Sequence, residues 1–123
     1  MIKGIHTMFY SSQADELRAF LRDKLQLPYT DVGHGWLIFD APEVELGVHP
    51  ASEEPGGHTG THSISFYCDD IHQTVADLKA RGVEFTGDVV DAGYGFTTSF
   101  RAPGDFTIDL YQPKYQNKST GSP

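Results

Sequence analysis

The sequence predicts an α+β fold built from two copies of one β-α-β-β-β unit, and three observations predict it. First, Gly60-Thr61-His62-Ser63-Ile64-Ser65-Phe66 begins the chain a second time. At an offset of 56 residues it lies over Gly4-Ile5-His6-Thr7-Met8-Phe9-Tyr10, with Gly4 on Gly60, His6 on His62 and Thr7 on Ser63. Second, Leu27-Pro28-Tyr29-Thr30 falls on Val83-Glu84-Phe85-Thr86 at the same offset. Phe39-Asp40-Ala41-Pro42 then returns as Phe100-Arg101-Ala102-Pro103 at an offset of 61, so the second copy carries five extra residues. Third, 123 residues make one domain by size, too short for two independent cores. The copies must share a core, with module 1 at about 2–50, a linker at 51–59, module 2 at about 60–113 and a polar, aperiodic tail at 114–123.

In chain order, Ile5 to Tyr10 reads as a strand. Ser11 or Ser12 is placed to cap a helix whose first turn carries Asp15 and Glu16, where carboxylates favour the positive end of the dipole. Leu17, Phe20, Leu21 and Leu25 recur at three and four residues and form one apolar stripe, which Pro28 ends. Strands follow at Tyr29 to Val32, Gly35 to Phe39 and Val44 to Val48, with Gly33-His34-Gly35 as a turn and Ala41-Pro42 as a break. The linker, which includes Glu53-Glu54-Pro55-Gly56-Gly57, is polar and rich in breakers. In module 2, Asp69 or Asp70 caps a helix striped by Ile71, Val75 and Leu78, and Gly82 stands where a left-handed C-terminal residue is wanted. Strands are expected at Val83 to Phe85, Phe96 to Phe100 and Phe106 to Tyr111, with Asp91-Ala92-Gly93-Tyr94-Gly95 looping over whatever the sheets enclose.

Charge narrows the partners. With 9 basic and 17 acidic residues, net −8, the chain lacks the clustered Lys and Arg by which proteins bind nucleic acid or anionic membranes. A small-molecule partner is expected. Met1-Ile2-Lys3-Gly4 lacks the apolar run of a signal peptide, and no stretch approaches a membrane span. The single cysteine, Cys68, excludes an internal disulfide and agrees with a reducing cytoplasm. After Phe66-Tyr67 it reads as a small buried residue, since no activating partner for a nucleophile is predicted.

Strand alternation orients the polar residues. In the fourth strand Val44, Leu46 and Val48 form one face and Glu45, Gly47 and His49 the other. In the eighth, Phe106, Ile108 and Leu110 oppose Thr107, Asp109 and Tyr111. The apolar faces suit packing against a helix, which leaves the acids on the other side, toward solvent or a concavity. A pseudo-symmetric pairing of the halves, or their exchange between two chains, carries His6 onto His62 and Glu45 onto Asp109. Buried carboxylates side by side need a cation or protons. Two imidazoles and two carboxylates suit a divalent ion of mixed N/O preference: Fe, Mn, Ni, Co or Zn. His49, on the face of Glu45, is either a cavity acid/base, a substitute ligand, or a strand-end residue beside Pro50. His34, His58 and His72, in a turn, the linker and a helix start, read as surface. Trp36, Tyr94, Phe96, Phe100 and Tyr111 are candidate pocket walls, with the core as the alternative for strand aromatics; alternation assigns Tyr111 to the cavity. Arg101, which replaces Asp40 across the repeat, either meets an anionic substrate or pairs with a surface acid.

The duplicated unit, the His-Thr-Met-Phe-Tyr opening, the Val-Glu-Leu strand, the Thr-His-Ser-Ile-Ser restart and the Pro-Gly-Asp-Phe-Thr-Ile-Asp-Leu ending resemble the vicinal oxygen chelate superfamily. That superfamily contains glyoxalase I, bleomycin-resistance proteins, fosfomycin-resistance enzymes and extradiol dioxygenases, and the resemblance covers Ile2 to about Pro113. It implies an open, cupped, barrel-like mixed sheet and a homodimer whose sites lie within one chain or between two. By position it implies the glyoxalase-type metal ligands His6, Glu45, His62 and Asp109, or the three-ligand set His6, His62 and Asp109. The eighth-strand ligand is usually glutamate; aspartate is a methylene shorter, so that bond is long or made through water. No Arg/Lys cluster suited to glutathione is present. The expected function is metal-dependent chemistry on a small substrate chelated through neighbouring oxygens, with Glu45 or His49 carrying protons and Tyr111, Arg101, Trp36 and Phe96 around the substrate. The alternative is a metal-free binding protein of the bleomycin-resistance kind.

Overall fold

A computed structural model of the chain describes residues 1, 7–40, 43–44, 46–47 and 63–114. They are of mixed α+β class, with helices α1 (Ala14–Asp23) and α2 (Ile71–Ala80) and strands β1 (Tyr29–Asp31), β2 (Leu37–Phe39), β3 (Ser65–Tyr67), β4 (Val90–Asp91), β5 (Gly95–Ala102) and β6 (Phe106–Pro113). β1 and β2 form an antiparallel pair, and module 2 forms a four-stranded sheet in the order β3-β6-β5-β4. β3 runs parallel to β6, and the other neighbours are antiparallel. Among the described residues the sheets do not close into a barrel.

The helices form where the apolar stripes predicted them. Leu17 and Leu21 of α1 are buried, with Phe20 and Leu25 packed beside them, and Ile71 and Leu78 of α2 are buried beside Val75. Asp70 is the N-cap of α2, accepting from the Gln73 N–H at 3.1 Å. Gly82, at φ +87°, ends the helix: its own N–H reaches the Lys79 carbonyl and that of Val83 reaches Leu78, the double closure in which a left-handed glycine satisfies the last carbonyls. Asp70→Ala is expected to lower folding stability by about 1 kcal/mol, read as a shifted urea midpoint at constant slope. The serine cap of α1 is a correction. Gln13 is the N-cap and makes no side-chain cap. Ser11 Oγ instead accepts from the Gln13 N–H at 3.0 Å and donates to the Pro103 carbonyl at 2.8 Å, tying the helix entry to the β5–β6 turn.

The repeat reappears as backbone register. Tyr29 faces Phe39 across β1–β2, and Phe85 bridges Phe100 across the equivalent positions of module 2. The Asp40 N–H donates to the Pro28 carbonyl at 2.9 Å, and the Arg101 N–H donates to Glu84 at the same distance. The helix ends also answer each other. Lys24 Nζ donates to the Arg81 carbonyl at 2.6 Å, and the Arg81 guanidinium donates to the Lys24 carbonyl at 3.0 Å. Each helix thus supplies a cation to the other's negative end, where it is favoured.

Four strand expectations change. The strand at Val83 to Phe85 reduces to the single Phe85 bridge, and β4, a strand not expected, ends on Asp91, the first residue of the expected loop, while Ala92 to Tyr94 do form a loop. In the restart segment Ser65–Tyr67 is strand and Ser63 and Ile64 are not, and Gly60 to His62 lie outside the described residues. Thr7 to Tyr10, and residues 43, 44, 46 and 47, lie in no strand; the rest of the first and fourth strands lies outside the described residues. The core is nevertheless shared. Leu17 and Leu21 of module 1 pack in one cluster with Ile71, Leu78, Val83, Phe100, Ile108 and Leu110 of module 2.

Candidate functional site

β6 positions the site because its alternation is strict. Ile108 and Leu110 are 1% and 4% exposed, while Thr107 and Asp109 between and before them are exposed. Burying the two apolar side chains against the helices aims Asp109 at the opposite face. Register then sets its neighbours: Asp109 lies between Ser65 of β3 and Ser99 of β5, and Tyr111 lies between Tyr67 and Thr97. Side chains directly opposite in a sheet share a face, so this face carries a carboxylate, hydroxyls and two tyrosines.

A concavity of about 650 Å³ lies over that face, lined by Asp109, Tyr111, Ser65, Thr97, Asp88 and Tyr94 among others. No Lys or Arg is among its described lining residues. A larger cavity, about 1020 Å³, adjoins it across Ser63, Ser65 and Tyr111 and is walled by apolar groups including Met8, Leu25, Leu27 and Leu78. Both volumes are in the range of sites for small organic ligands. The rings of Tyr94 and Tyr111 meet edge to face with centroids 5.7 Å apart.

Of the sequence-predicted ligands, Asp109 is the one whose position is described. His6, Glu45 and His62 lie outside the described residues, as does His49. Their described neighbours Thr7, Val44, Leu46, Gly47 and Ser63 line the larger cavity. Among the described residues Asp109 has no ion-pair partner, and no group of three His, Cys, Asp or Glu is close enough to hold a metal. An exposed carboxylate without a counter-charge, in a concavity that holds a second one, Asp88, has the donor chemistry a hard or borderline cation takes.

Three residues expected around the substrate lie away from the concavity at Asp109. Phe96 pairs in register with Gln112 and has the same parity as fully buried Phe100, so it lies on the core side. There its ring is near His72 at 6.3 Å and under Lys114 Nζ at 4.9 Å, while Lys114 also holds Asp91 at 2.8 Å. That ion pair, with the Gly93 N–H, keeps the Asp91 carboxyl below its ordinary range. Trp36 lies at the β1–β2 turn under the Arg18 guanidinium, 4.4 Å from its centroid, and does not line the concavity at Asp109. Arg101 takes the surface-acid option, 3.3 Å from Glu84 with both side chains mostly exposed. His34 and His72 are exposed, as expected.

Cys68 is half-buried, and its Sγ donates to the Tyr111 carbonyl at 3.7 Å. Burial raises its pKa, against a smaller lowering by a hydrogen bond with Thr74. A thiol held protonated suits packing rather than attack. Asp88, Ser65 and Ser99 escaped sequence reasoning; the signal available was the parity of Ser99 with Thr97 and Arg101, which needs the β5–β6 register to be read against Asp109.

Comparison with known proteins adds three findings. Residues 5–110 match the family model of the Glyoxalase/Bleomycin resistance protein/Dioxygenase superfamily. A search of curated proteins finds no match. Among solved structures, the chain is similar to TnmS3, an antibiotic binding protein from Streptomyces sp. CB03234, at 19% identity and a TM-score of 0.61, covering 93% of this chain and 100% of that one. It is similar to lactoylglutathione lyase from Agrobacterium tumefaciens at 18% identity and 0.56, covering 86% and 90%. The genomically encoded fosfomycin resistance protein FosX from Listeria monocytogenes aligns at 14% identity and 0.52, covering 99% and 100%. Likenesses at these identities speak to the fold.

Proposed function

The chain belongs to the Glyoxalase/Bleomycin resistance protein/Dioxygenase superfamily, and from that premise we propose that it is a metal-dependent enzyme acting on a small oxygenated substrate at the Asp109 face of the four-stranded sheet. The observation that supports this most is Asp109 itself: held in register between two serines, turned away from the core, and without a cation among the described residues. The repeat relates it to Glu45, and His6 to His62. These four residues would hold one divalent ion, of Fe, Mn, Ni, Co or Zn type. When bound, such an ion supplies a Lewis acid for negative charge developing on substrate oxygen. The chain's own part is to orient the substrate against Tyr111 and the flanking hydroxyls, and to move a proton through Glu45 or His49. Isomerisation, lyase chemistry and dioxygenation all fall within this scheme. No helix among the described residues is long and apolar enough to cross a membrane, and we place the enzyme in the cytoplasm as a homodimer.

Calorimetric titration with Mn²⁺, Ni²⁺ and Zn²⁺ tests the reading. One ion per site is expected, bound at least about tenfold more weakly by Asp109→Asn, since the ion loses one of its anionic donors. Uptake below about a tenth of an equivalent, or equal affinity in the variant, sinks it. Mixing a His6→Ala chain with a His62→Ala chain then reports whether sites are shared between subunits, as rescue of metal binding. The second reading, a metal-free binding protein, is favoured by the apolar walls of the 1020 Å³ cavity; TnmS3 is described as an antibiotic binding protein.

A further inference from the structure

The two modules do not match everywhere, and one difference in length falls at the site. Thr30 pairs with Ile38 in module 1, and the repeat-equivalent Thr86 N–H donates to the Ser99 carbonyl at 2.9 Å in module 2. Between these anchors module 2 has five residues more. Module 1 spends its shorter connection on the tight turn at Gly33-His34-Gly35, where all three φ values are positive. Module 2 uses its longer one to add β4 and the Ala92-Gly93-Tyr94 loop, and this stretch brings Asp88, Val90 and Tyr94 to the concavity over Asp109.

The loop is anchored on both sides of the tyrosine. The Ala92 N–H donates to the Gly95 carbonyl at 2.8 Å, the Lys114 N–H donates to the Tyr94 carbonyl at 3.1 Å, and Asp91 accepts from the Gly93 N–H at 2.9 Å. Tyr94 nonetheless remains 62% exposed. One edge contact fixes it on Tyr111, and the rest of its ring is available to a ligand. Gly95 is buried because the Tyr111 ring lies against its backbone. The result is an aromatic corner on a hydrogen-bonded loop, in a concavity whose described lining offers no Lys or Arg for an ion pair.

We propose that Tyr94 is the specificity-determining residue of this site, its ring forming with Tyr111 a corner that selects ligands carrying a planar ring without negative charge. This rests on the reading of the Asp109 face as a small-molecule site, but not on a metal being bound there. The repeat supplies what is common to both halves; the extra residues supply the side that discriminates.

The test compares 2-naphthol with its saturated analogue decahydro-2-naphthol, similar in size and apolarity but without a π-face, by calorimetry on the full-length protein. Wild type is expected to prefer 2-naphthol, and Tyr94→Leu, which keeps apolar bulk, to lose roughly threefold to tenfold of that preference. Tyr94→Phe is expected to retain it, which separates ring stacking from the hydroxyl. Equal affinity of wild type for both alcohols, no measurable 2-naphthol binding, or an unchanged preference in Tyr94→Leu each overturns the proposal. Metal titration of the same samples keeps the two readings apart. Metal uptake without planar preference removes Tyr94 and leaves the enzyme reading, whereas planar preference without metal does the reverse.

Discussion

Phe100→Ala is expected to lower folding stability by about 3–5 kcal/mol, a large share of the roughly 5–15 kcal/mol that a domain possesses. Phe100 is fully buried at the centre of the shared core. Its ring stacks on Phe20 of α1 at 6.0 Å and meets Phe85 edge to face at 5.6 Å. One side chain therefore joins the helix of module 1 to the sheet of module 2, and its backbone carries the Phe85 bridge. Truncation leaves a cavity with module 1 on one wall, so the loss combines lost transfer energy with unrepaid packing. Chemical denaturation at constant slope measures it, with Val32→Ala, at an exposed position, as a control expected within about 0.5 kcal/mol. A loss below about 1 kcal/mol would mean the modules do not share a core.

The second large effect is expected of Gly95→Ala. A Cβ built there lies 2.5 Å from the Gln112 carbonyl oxygen and 2.7 Å from Cε2 of Tyr111. The first contact is backbone in the neighbouring strand and cannot rotate away. The second is the ring whose place defines one wall of the concavity. Overpacking of this kind costs about 1–3 kcal/mol, and here relief requires the strands to part or Tyr111 to swing. Both stability and 2-naphthol binding should fall together. Gly93→Ala separates the terms. That glycine has φ +91° with nothing within 4 Å of a Cβ, so its substitution strains the backbone but should not displace Tyr111. Aromatic NMR shifts of Tyr111 that stay unchanged in Gly95→Ala would refute the contact.

Much of the fold was legible because it is written in local period. The stripe of Leu17, Phe20, Leu21 and Leu25 can bury on one side of a helix and on no other, and Asp70 and Gly82 act at helix ends through their own backbone geometry. The repeat was legible for a related reason: equal residues at equal spacing must solve the same register problem, as the paired bonds from Asp40 to Pro28 and from Arg101 to Glu84 show. Where the second copy departs from the first, the spacing rule lapses. The five extra residues made an edge strand at Val90–Asp91 because β5 offered an unpaired edge there, a partner no local pattern announces. Ser11 likewise gave up the cap for a carbonyl 92 residues away.

For the candidate site, the chain by itself determined that Asp109 and Tyr111 share one face of their strand and that Ile108 and Leu110 take the other, since alternation is a property of any extended backbone. It also determined the doubled His and acid pattern that motivates a metal. What only the tertiary structure decided is which residues of other strands join that face. Phe96, grouped with Tyr111 by chemistry alone, is separated from it by the β5–β6 register, whereas Tyr94 and Asp88 are brought in by the longer connection. Alternation assigns sides within one strand; the side of the sheet that two strands have in common is set by hydrogen bonds between residues far apart in the chain.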